Sequence, residues 1–196
     1  MLVAGKPART GINKQPVTGR VAVGPEGLAG DEFADKANHG GRDQAVYAYA
    51  REDLDWWSAL LGRELRHGLF GENITTAGLD VSGALIGEVW QLGTAVVQVT
   101  APRIPCVTFQ SWLGEPHWVK RFAAARRPGA YLRVLAEGAA GAGDGLAVLR
   151  RPGQAVTVAE SMEAYYGDRD IMHRLLTVEG RGDKWDQIGA AILSRA

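Results

Sequence analysis

The sequence has very little cysteine, with Cys106 as the only thiol in 196 residues. One cysteine excludes an intramolecular disulfide framework of the kind that small secreted proteins use. It also excludes an iron–sulfur cluster held by four cysteines of this chain. The opening stretch MLVAGKPARTGINK lacks the apolar core of a signal peptide, and no apolar run approaches the roughly 18 to 20 residues that span a bilayer. We therefore expect a cytoplasmic protein.

An excess of charge of either sign is also missing, because 22 basic residues balance 22 acidic ones. A net charge of zero creates no long-range field that would attract nucleic acid or an anionic membrane. A nucleic-acid binder would then need a local basic patch, for which the candidates are Lys120, Arg121, Arg126 and Arg127. We expect neither a membrane partner nor a nucleic-acid partner.

Several common catalytic and cofactor motifs are absent. The glycine-rich stretch EGAAGAGDG at 137–145 lacks the GxGxxG spacing, and no GKS, GKT or GxSxG occurs. We interpret that stretch as a connection leading into a last strand, LAVL. The four histidines, at positions 39, 67, 117 and 173, have no zinc-site spacing to one another or to Cys106.

What is present before residue 153 is a series of short β-prone runs separated by glycine and proline. The runs predicted as strands are VTGRVAV (17–23), AVYAY (45–49), EVWQL (88–92), AVVQV (95–99) and YLRVL (131–135). Gly93-Thr94 joins two of them as a two-residue hairpin, since glycine accepts a positive φ. This pattern predicts an α+β fold that is mainly antiparallel β and resembles a barrel.

Two helices are predicted inside this region and three after it. REDLDWWSALLG has apolar residues at helical spacing and a glycine stop, and EPHWVKRFAAARR has Pro116 in its expected first turn. Beyond Gly153, the capping-box pattern from Thr157 to Glu160 opens a helical stretch. We predict a barrel domain over 1–152 and a three-helix domain over 155–196, which is too small to be stable without packing on another surface.

Three short segments carry the candidate chemistry. GDEFADKANHGGRDQAVYAY (30–49) contains a Gly-Gly pair, which lets a backbone approach a ligand closely. GLFGENITTAGLD (68–80) places Glu72 and Asn73 in a turn-like setting. TAPRIPCVTF (100–109) holds Cys106 behind two prolines and an arginine, and a β-prone run follows it.

Cys106 admits two interpretations. A lone cysteine is often a small buried hydrophobe, and this alternative stays open. Against it, Pro102 and Pro105 restrict the backbone, and the permanent positive charge of Arg103 favours a thiolate. A thiolate is either a nucleophile or a ligand for a soft metal.

Taken in order, GLAGDEFAD, HGGRDQAVYAY, FGENITTAGLD, GEVWQLGTAVVQVTAPRIPC and GDGLAVL resemble the MOSC family, named for the C-terminal domain of molybdenum cofactor sulfurase. The resemblance is strongest to the stand-alone bacterial branch that reduces N-hydroxylated compounds such as 6-hydroxylaminopurine. It covers residues from about 10 to 150, and the tail resembles the three-helix domain of that branch. The tail is short, at about 42 residues, so its partner surface need not be the same.

The resemblance implies a β-barrel with a cleft for a molybdopterin-type cofactor. It implies Cys106 as the thiolate ligand of molybdenum and as a catalytic residue together with His39. Further residues at matching motif positions would contact the cofactor: Gly40, Gly41, Asp43, Asn73 and Arg103. Because the barrel has its own apolar core, we expect it to fold even in a sample that lacks the cofactor.

The function implied is a molybdenum-dependent reductase acting on N-hydroxylated bases or similar small molecules. With no iron–sulfur or flavin motif in the chain, its electrons would come from an external flavoprotein or ferredoxin-like protein. Two alternatives remain. Cys106 could carry a persulfide in a sulfur-carrier or cofactor-handling protein, or the chain could be a binding module without chemistry.

Overall fold

The structure is a computed structural model and describes residues 2–3, 6–7, 10–32, 40–153 and 155–194. Its strands are β1 (Leu2–Val3), β2 (Lys6–Pro7), β3 (Arg20–Gly24), β4 (Gly27–Leu28), β5 (Val46–Ala50), β6 (Ile74–Thr76), β7 (Val89–Leu92), β8 (Ala95–Pro102), β9 (Ala130–Ala136), β10 (Gly138–Gly141) and β11 (Leu146–Arg150). Its α-helices are α1 (Arg51–Leu61), α2 (Val107–Leu113), α3 (Trp118–Ala125), α4 (Val158–Tyr165), α5 (Arg169–Leu176) and α6 (Lys184–Leu193), and a 3₁₀ helix spans Arg42–Gln44.

A six-stranded sheet with the order β11-β7-β8-β9-β5-β6 forms a curled half-barrel. Its pairs are antiparallel, except that β6 runs parallel to β5. The predicted hairpin joins β7 to β8, and Gly93 has the positive φ, 57°, that this turn requires. The predicted α+β fold, mainly antiparallel β, is confirmed.

Three local predictions differ from the structure. The β-prone residues after Cys106 form α2, because tertiary packing of Phe109 and Leu113 overrides their strand preference. The glycine-rich stretch at 137–145 contains β10, which pairs with β3. Helix α3 begins at Trp118, after His117 with a φ of 56°, so Pro116 lies outside the helix.

The two faces of the sheet contact different hydrophobic clusters. The first, here called the sheet–tail core, takes Ala48 and Leu132 from β5 and β9. The second, here called the aromatic cluster, consists of Ile12, Tyr47, Tyr49, Leu54, Trp57, Leu65, Phe70, Phe109, Leu113, Trp118 and Phe122, with Cys106 and Tyr131 packed against it. Successive side chains of a strand point to opposite faces, so each of these strands contributes to both clusters.

The three C-terminal helices pack on the sheet through that first cluster, which contains Met172, Leu175 and Trp185 beside Val97 and Val99. Helix α4 begins with the predicted capping box, in which Thr157 and Glu160 bond to each other's backbone N–H groups. One continuous hydrophobic core joins residues 1–152 to residues 155–196. The division of the chain into two domains at these bounds stays a prediction.

Three of the four residues of the predicted basic patch form ion pairs. Arg121 pairs with Glu115 at 3.2 Å, and Arg126 and Arg127 contact Glu163 and Asp53. Their charge is therefore largely compensated locally. No helix formed by the described residues has the length and hydropathy to cross a membrane.

We predict that Trp185→Ala lowers the free energy of unfolding by about 3–5 kcal/mol, because it leaves a large cavity between tail and sheet. Trp185 is 3% exposed, and its indole N–H donates to the Thr100 carbonyl at 3.1 Å. The measurement is urea unfolding of the full chain. The control Tyr166→Ala removes a side chain that is 54% exposed and should cost less than about 1 kcal/mol. Equal losses for both variants would contradict a shared core.

Candidate functional site

Cys106 lies in the short connection between β8 and α2. Its backbone is extended, with φ −130° and ψ 171°, and it immediately precedes α2, where its carbonyl accepts the Gln110 N–H at 3.1 Å. The thiol is partly exposed and is not in a disulfide. The buried Pro105 before it and the helix after it hold the direction of this side chain.

Arg103, three residues earlier, is a buried cation with only 7% of its surface exposed. Its Nη1 donates to the Phe70 carbonyl at 2.5 Å. The guanidinium carbon lies 4.1 Å from the ring centre of Phe109 and 5.1 Å from that of Tyr47. These cation–π contacts help to compensate the loss of water around the charge. Its buried Nε has no hydrogen-bond partner among the residues described.

The electrostatics link Arg103 to Cys106 and to two tyrosines. Burial acts to lower the pKa of Arg103, but Tyr131, Tyr47 and Cys106 raise it, and the net pKa lies above its ordinary value. Burial raises the pKa of Tyr131, Arg103 lowers it, and Cys106 raises it. The rings of Tyr47 and Tyr131 are 5.1 Å apart. We call Cys106, Arg103, Tyr47 and Tyr131 the Cys106 site.

Glu72 folds the turn that supplies the carbonyl for Arg103. Its carboxylate accepts the backbone N–H groups of Gly68 at 2.5 Å and Phe70 at 2.9 Å, and the Thr75 hydroxyl at 3.1 Å. Gly71 in this turn has a φ of 76°, and a Cβ there would lie 2.9 Å from Ile12. The turn therefore needs glycine for both conformation and space.

Asn73 holds the strand that carries Tyr47. Its backbone N–H donates to the Tyr47 carbonyl at 2.8 Å, and its side-chain oxygen accepts the Tyr47 N–H at 2.9 Å. Its side-chain N–H group donates to Asp31 at 2.7 Å. Asn73 thus acts on the Cys106 site through Tyr47, and its direct contact with a cofactor stays a prediction.

The Gly-Gly segment is only partly within the described residues, and His39 lies outside them, so its catalytic role stays a prediction. Gly40 and Gly41 have φ values of 85° and 83° and lead into the 3₁₀ helix. Both carboxylate oxygens of Asp43 have partners. One forms an ion pair with Arg133 at 2.5 Å, and the other accepts the backbone N–H of Asp183 at 2.6 Å. Asp43 therefore lies at the junction with the tail, and the cofactor contacts predicted for all three residues remain untested.

The structure places Arg103, three residues before Cys106, against the FGEN turn through the Phe70 carbonyl, and the predicted site roles of these residues stay predictions. Tyr47 and Tyr131, which belong to the Cys106 site, and Phe109, which packs on Arg103, were not predicted from the sequence. A signal for the tyrosines was present: in AVYAY and YLRVL they alternate with small or aliphatic residues, which places them on the face opposite the apolar core. Phe109 had no such signal, because its helix was not predicted.

We predict that Glu72→Gln changes how stability depends on pH. Burial outweighs the hydrogen bonds and raises the pKa of Glu72 above its ordinary 4.5, so the folded chain holds this proton more tightly than the unfolded chain. The carboxyl then contributes stability that is fully present below about pH 4.5 and is lost as the pH rises through the folded pKa. Glutamine cannot titrate and should lack this decline.

The measurement is urea unfolding of both proteins from about pH 4 to pH 7. Glutamine also places an N–H group against backbone donors, which should cost about 1–3 kcal/mol. We expect the advantage of the parent over Glu72→Gln to be largest at the acidic end. Asp53, a buried carboxyl whose pKa is also raised by burial, is present in both proteins and cancels in the difference. A difference that is independent of pH would contradict the assignment.

Comparisons with known proteins identify the family of the chain. The MOSC domain model matches residues 35–147. The chain is 36% identical to the uncharacterized protein YflK of Bacillus subtilis, over 92% of this chain and 83% of that one. The crystal structure of YiiM from Geobacillus stearothermophilus superposes with a TM-score of 0.82 at 32% identity, over 94% of this chain and 89% of that one. A protein of Gibberella moniliformis named Reductase is 34% identical over 145 residues, which are 26% of its length. The chain belongs to the MOSC domain family.

Proposed function

We propose that this protein is a molybdenum-cofactor-dependent oxidoreductase that reduces N-hydroxylated bases or related N-oxygenated compounds, with Cys106 as the thiolate ligand of molybdenum. The observation that carries the proposal is a partly exposed cysteine in a restricted backbone, three residues after the buried cation of Arg103. Membership of the MOSC family supports it.

The chemistry of the donors fits the proposed group. A thiolate is a soft ligand suited to molybdenum, whereas an alcohol or an amide is not. The Nε of Arg103 is a buried donor without a partner in the described part of the chain, and an oxyanion of a cofactor would satisfy it. When bound, the cofactor would supply two-electron redox chemistry at the metal.

The protein's own residues have three tasks in this function. Cys106 would hold the metal in one direction, because the preceding proline and the following helix restrict its backbone. Arg103 provides a permanent positive charge toward anionic groups, and the Phe70 carbonyl fixes its orientation. The rings of Tyr47 and Phe109 exclude water from that charge, which strengthens its interactions.

The electrons must come from another protein. The sequence has one cysteine, and the described residues contain no group of three or more His, Cys, Asp or Glu side chains placed to hold a metal ion. We propose a flavoprotein reductase or a ferredoxin-like protein as the donor. The fungal relative supports this arrangement, because a protein named Reductase contains the matching region as about a quarter of its length.

A second candidate function is favoured by the exposure of Cys106. A sulfur carrier or cofactor-handling protein needs a thiol that a partner can reach, and Cys106 is partly exposed. Elemental analysis and pterin fluorescence separate the two functions when the protein is produced in a host that makes the cofactor. Stoichiometric molybdenum supports the reductase, and a persulfide on Cys106 without metal supports the carrier.

We predict that Cys106→Ser loses molybdenum and activity while its thermal midpoint stays close to that of the parent. The serine hydroxyl is nearly the same size as the thiol, so the cost in stability should be about 1 kcal/mol or less. Its oxygen is not deprotonated at neutral pH and cannot replace the thiolate. The measurements are molybdenum content, turnover of an N-hydroxylated base with an artificial electron donor, and calorimetry.

Thr108→Ser is the matched control. It alters a partly buried residue of α2, the helix that follows Cys106, without changing the thiol. It should keep both metal and activity. A Cys106→Ser protein that is less stable yet retains molybdenum and specific activity would show that Cys106 is only a packing residue.

A further inference from the structure

The tail contacts β8, β9 and the 3₁₀ helix that precedes β5, and these elements adjoin the residues of the Cys106 site. Thr100 on β8 is three residues before Arg103, and Arg133 on β9 is two residues after Tyr131. Asp43 lies four residues before Tyr47, which is on β5. The Arg181–Asp183 turn, which precedes α6, bonds to each of these three positions.

The individual bonds form one network around Asp43. Its carboxylate takes Arg133 on one oxygen and the Asp183 N–H on the other. Its carbonyl accepts the hydroxyl of Thr100 at 2.6 Å, and that hydroxyl also contacts the Tyr131 carbonyl at 3.0 Å. The Thr100 carbonyl in turn accepts the Gly182 N–H at 3.1 Å. Thr100 has no exposed surface, so this network is closed to water at its centre.

The same turn also has little freedom to move. Arg133 donates to the Arg181 carbonyl at 3.0 Å. A Cβ on Gly182 would lie 3.2 Å from the Asp43 carboxylate, and one on Gly180 would lie 2.3 Å from Gln98. Gly182 in the turn and Gly180 just before it thus allow this segment to pack closely against β8 and Asp43.

We propose that Asp43 is a positioning residue through which the C-terminal helices set the spacing of β5, β8 and β9, and with it the placement of Arg103 and Tyr131 beside Cys106. In this role Asp43 acts through the strands and not through a contact with the cofactor. It transmits the docking of the tail to the site. The role of Asp43 in cofactor binding rests on the proposed function. Its role in placing Arg103 beside the Cys106 thiol does not depend on that function.

The test compares Asp43→Ala with Glu163→Ala. Glu163 of the tail forms an ion pair with Arg126 of the barrel, so the control removes a charged contact between tail and barrel that has no link to Thr100 or Arg133. Because Cys106 is the only thiol, the rate of its alkylation by iodoacetamide at fixed pH reports on this site directly. No cofactor is needed for that measurement.

We expect Asp43→Ala to slow alkylation by about threefold, since a displaced Arg103 stabilises the thiolate less. It should also lower the retention of molybdenum during dialysis by about tenfold, the effect typical of residues that orient a ligand. Glu163→Ala should change neither by more than its loss of thermal midpoint explains. Unfolding would accelerate alkylation, so instability cannot imitate the expected result.

Thr100→Val is the second variant, in case Asp43→Ala folds poorly. Valine has nearly the same shape but cannot bond to the Asp43 and Tyr131 carbonyls, so alkylation should slow again. An alkylation rate that is unchanged or faster in both variants would overturn the proposal. If alkylation slows but neither the parent nor the variants ever hold molybdenum, the positioning role stands and the proposed function fails.

Discussion

The buried guanidinium of Arg103 is the constraint on which the arrangement of the site depends. Taking a cation out of water costs several kcal/mol unless protein groups replace the lost hydration. Here a carbonyl of the FGEN turn and the rings of Tyr47 and Phe109 replace it. A hydrogen bond to a charged group contributes about 1.5–3 kcal/mol, and a desolvated cation–π contact about 2 kcal/mol. Three parts of the chain, at Tyr47, at Phe70 and from Arg103 to Phe109, must therefore meet around this cation.

The position of Cys106 follows from this constraint. Arg103 and Cys106 are separated by two residues, of which Pro105 has a restricted φ. Once the Phe70 carbonyl holds Arg103, this short and restricted connection limits the positions that the Cys106 thiol can take. Glu72 stabilises the turn from within, and Asn73 holds β5 against it. The FGEN segment thus acts mainly on the protein's own backbone, which explains why its polar side chains are largely engaged.

The two faces of the six-stranded sheet pack against different parts of the protein. One face packs on the tail through aliphatic side chains, and the other packs tyrosines against the aromatic cluster, where the Cys106 site lies. Because the strands are shared by both faces, the tail and the site are mechanically connected through the sheet. The network around Asp43 is the place where this connection is made by polar bonds. In the proposed arrangement the tail is therefore a part of the site's scaffold.

The sequence by itself determined the elements whose causes are local. The hairpin at Gly93, the capping box at Thr157, the glycine stop after α1 and most strands of the sheet depend on residues close together in the chain. The same holds for the restricted backbone before Cys106, which Pro102 and Pro105 set locally. Only the tertiary structure decided the rest. Helix α2 forms against a strand preference, because Phe109 is buried by residues far away in the sequence. The Asp43 carboxylate contacts Arg133 and the backbone N–H of Asp183 in the tail, and not the residues of its own motif. These interactions form because burial removes water from polar and apolar groups. Which groups are buried together depends on the folded chain and not on the local sequence.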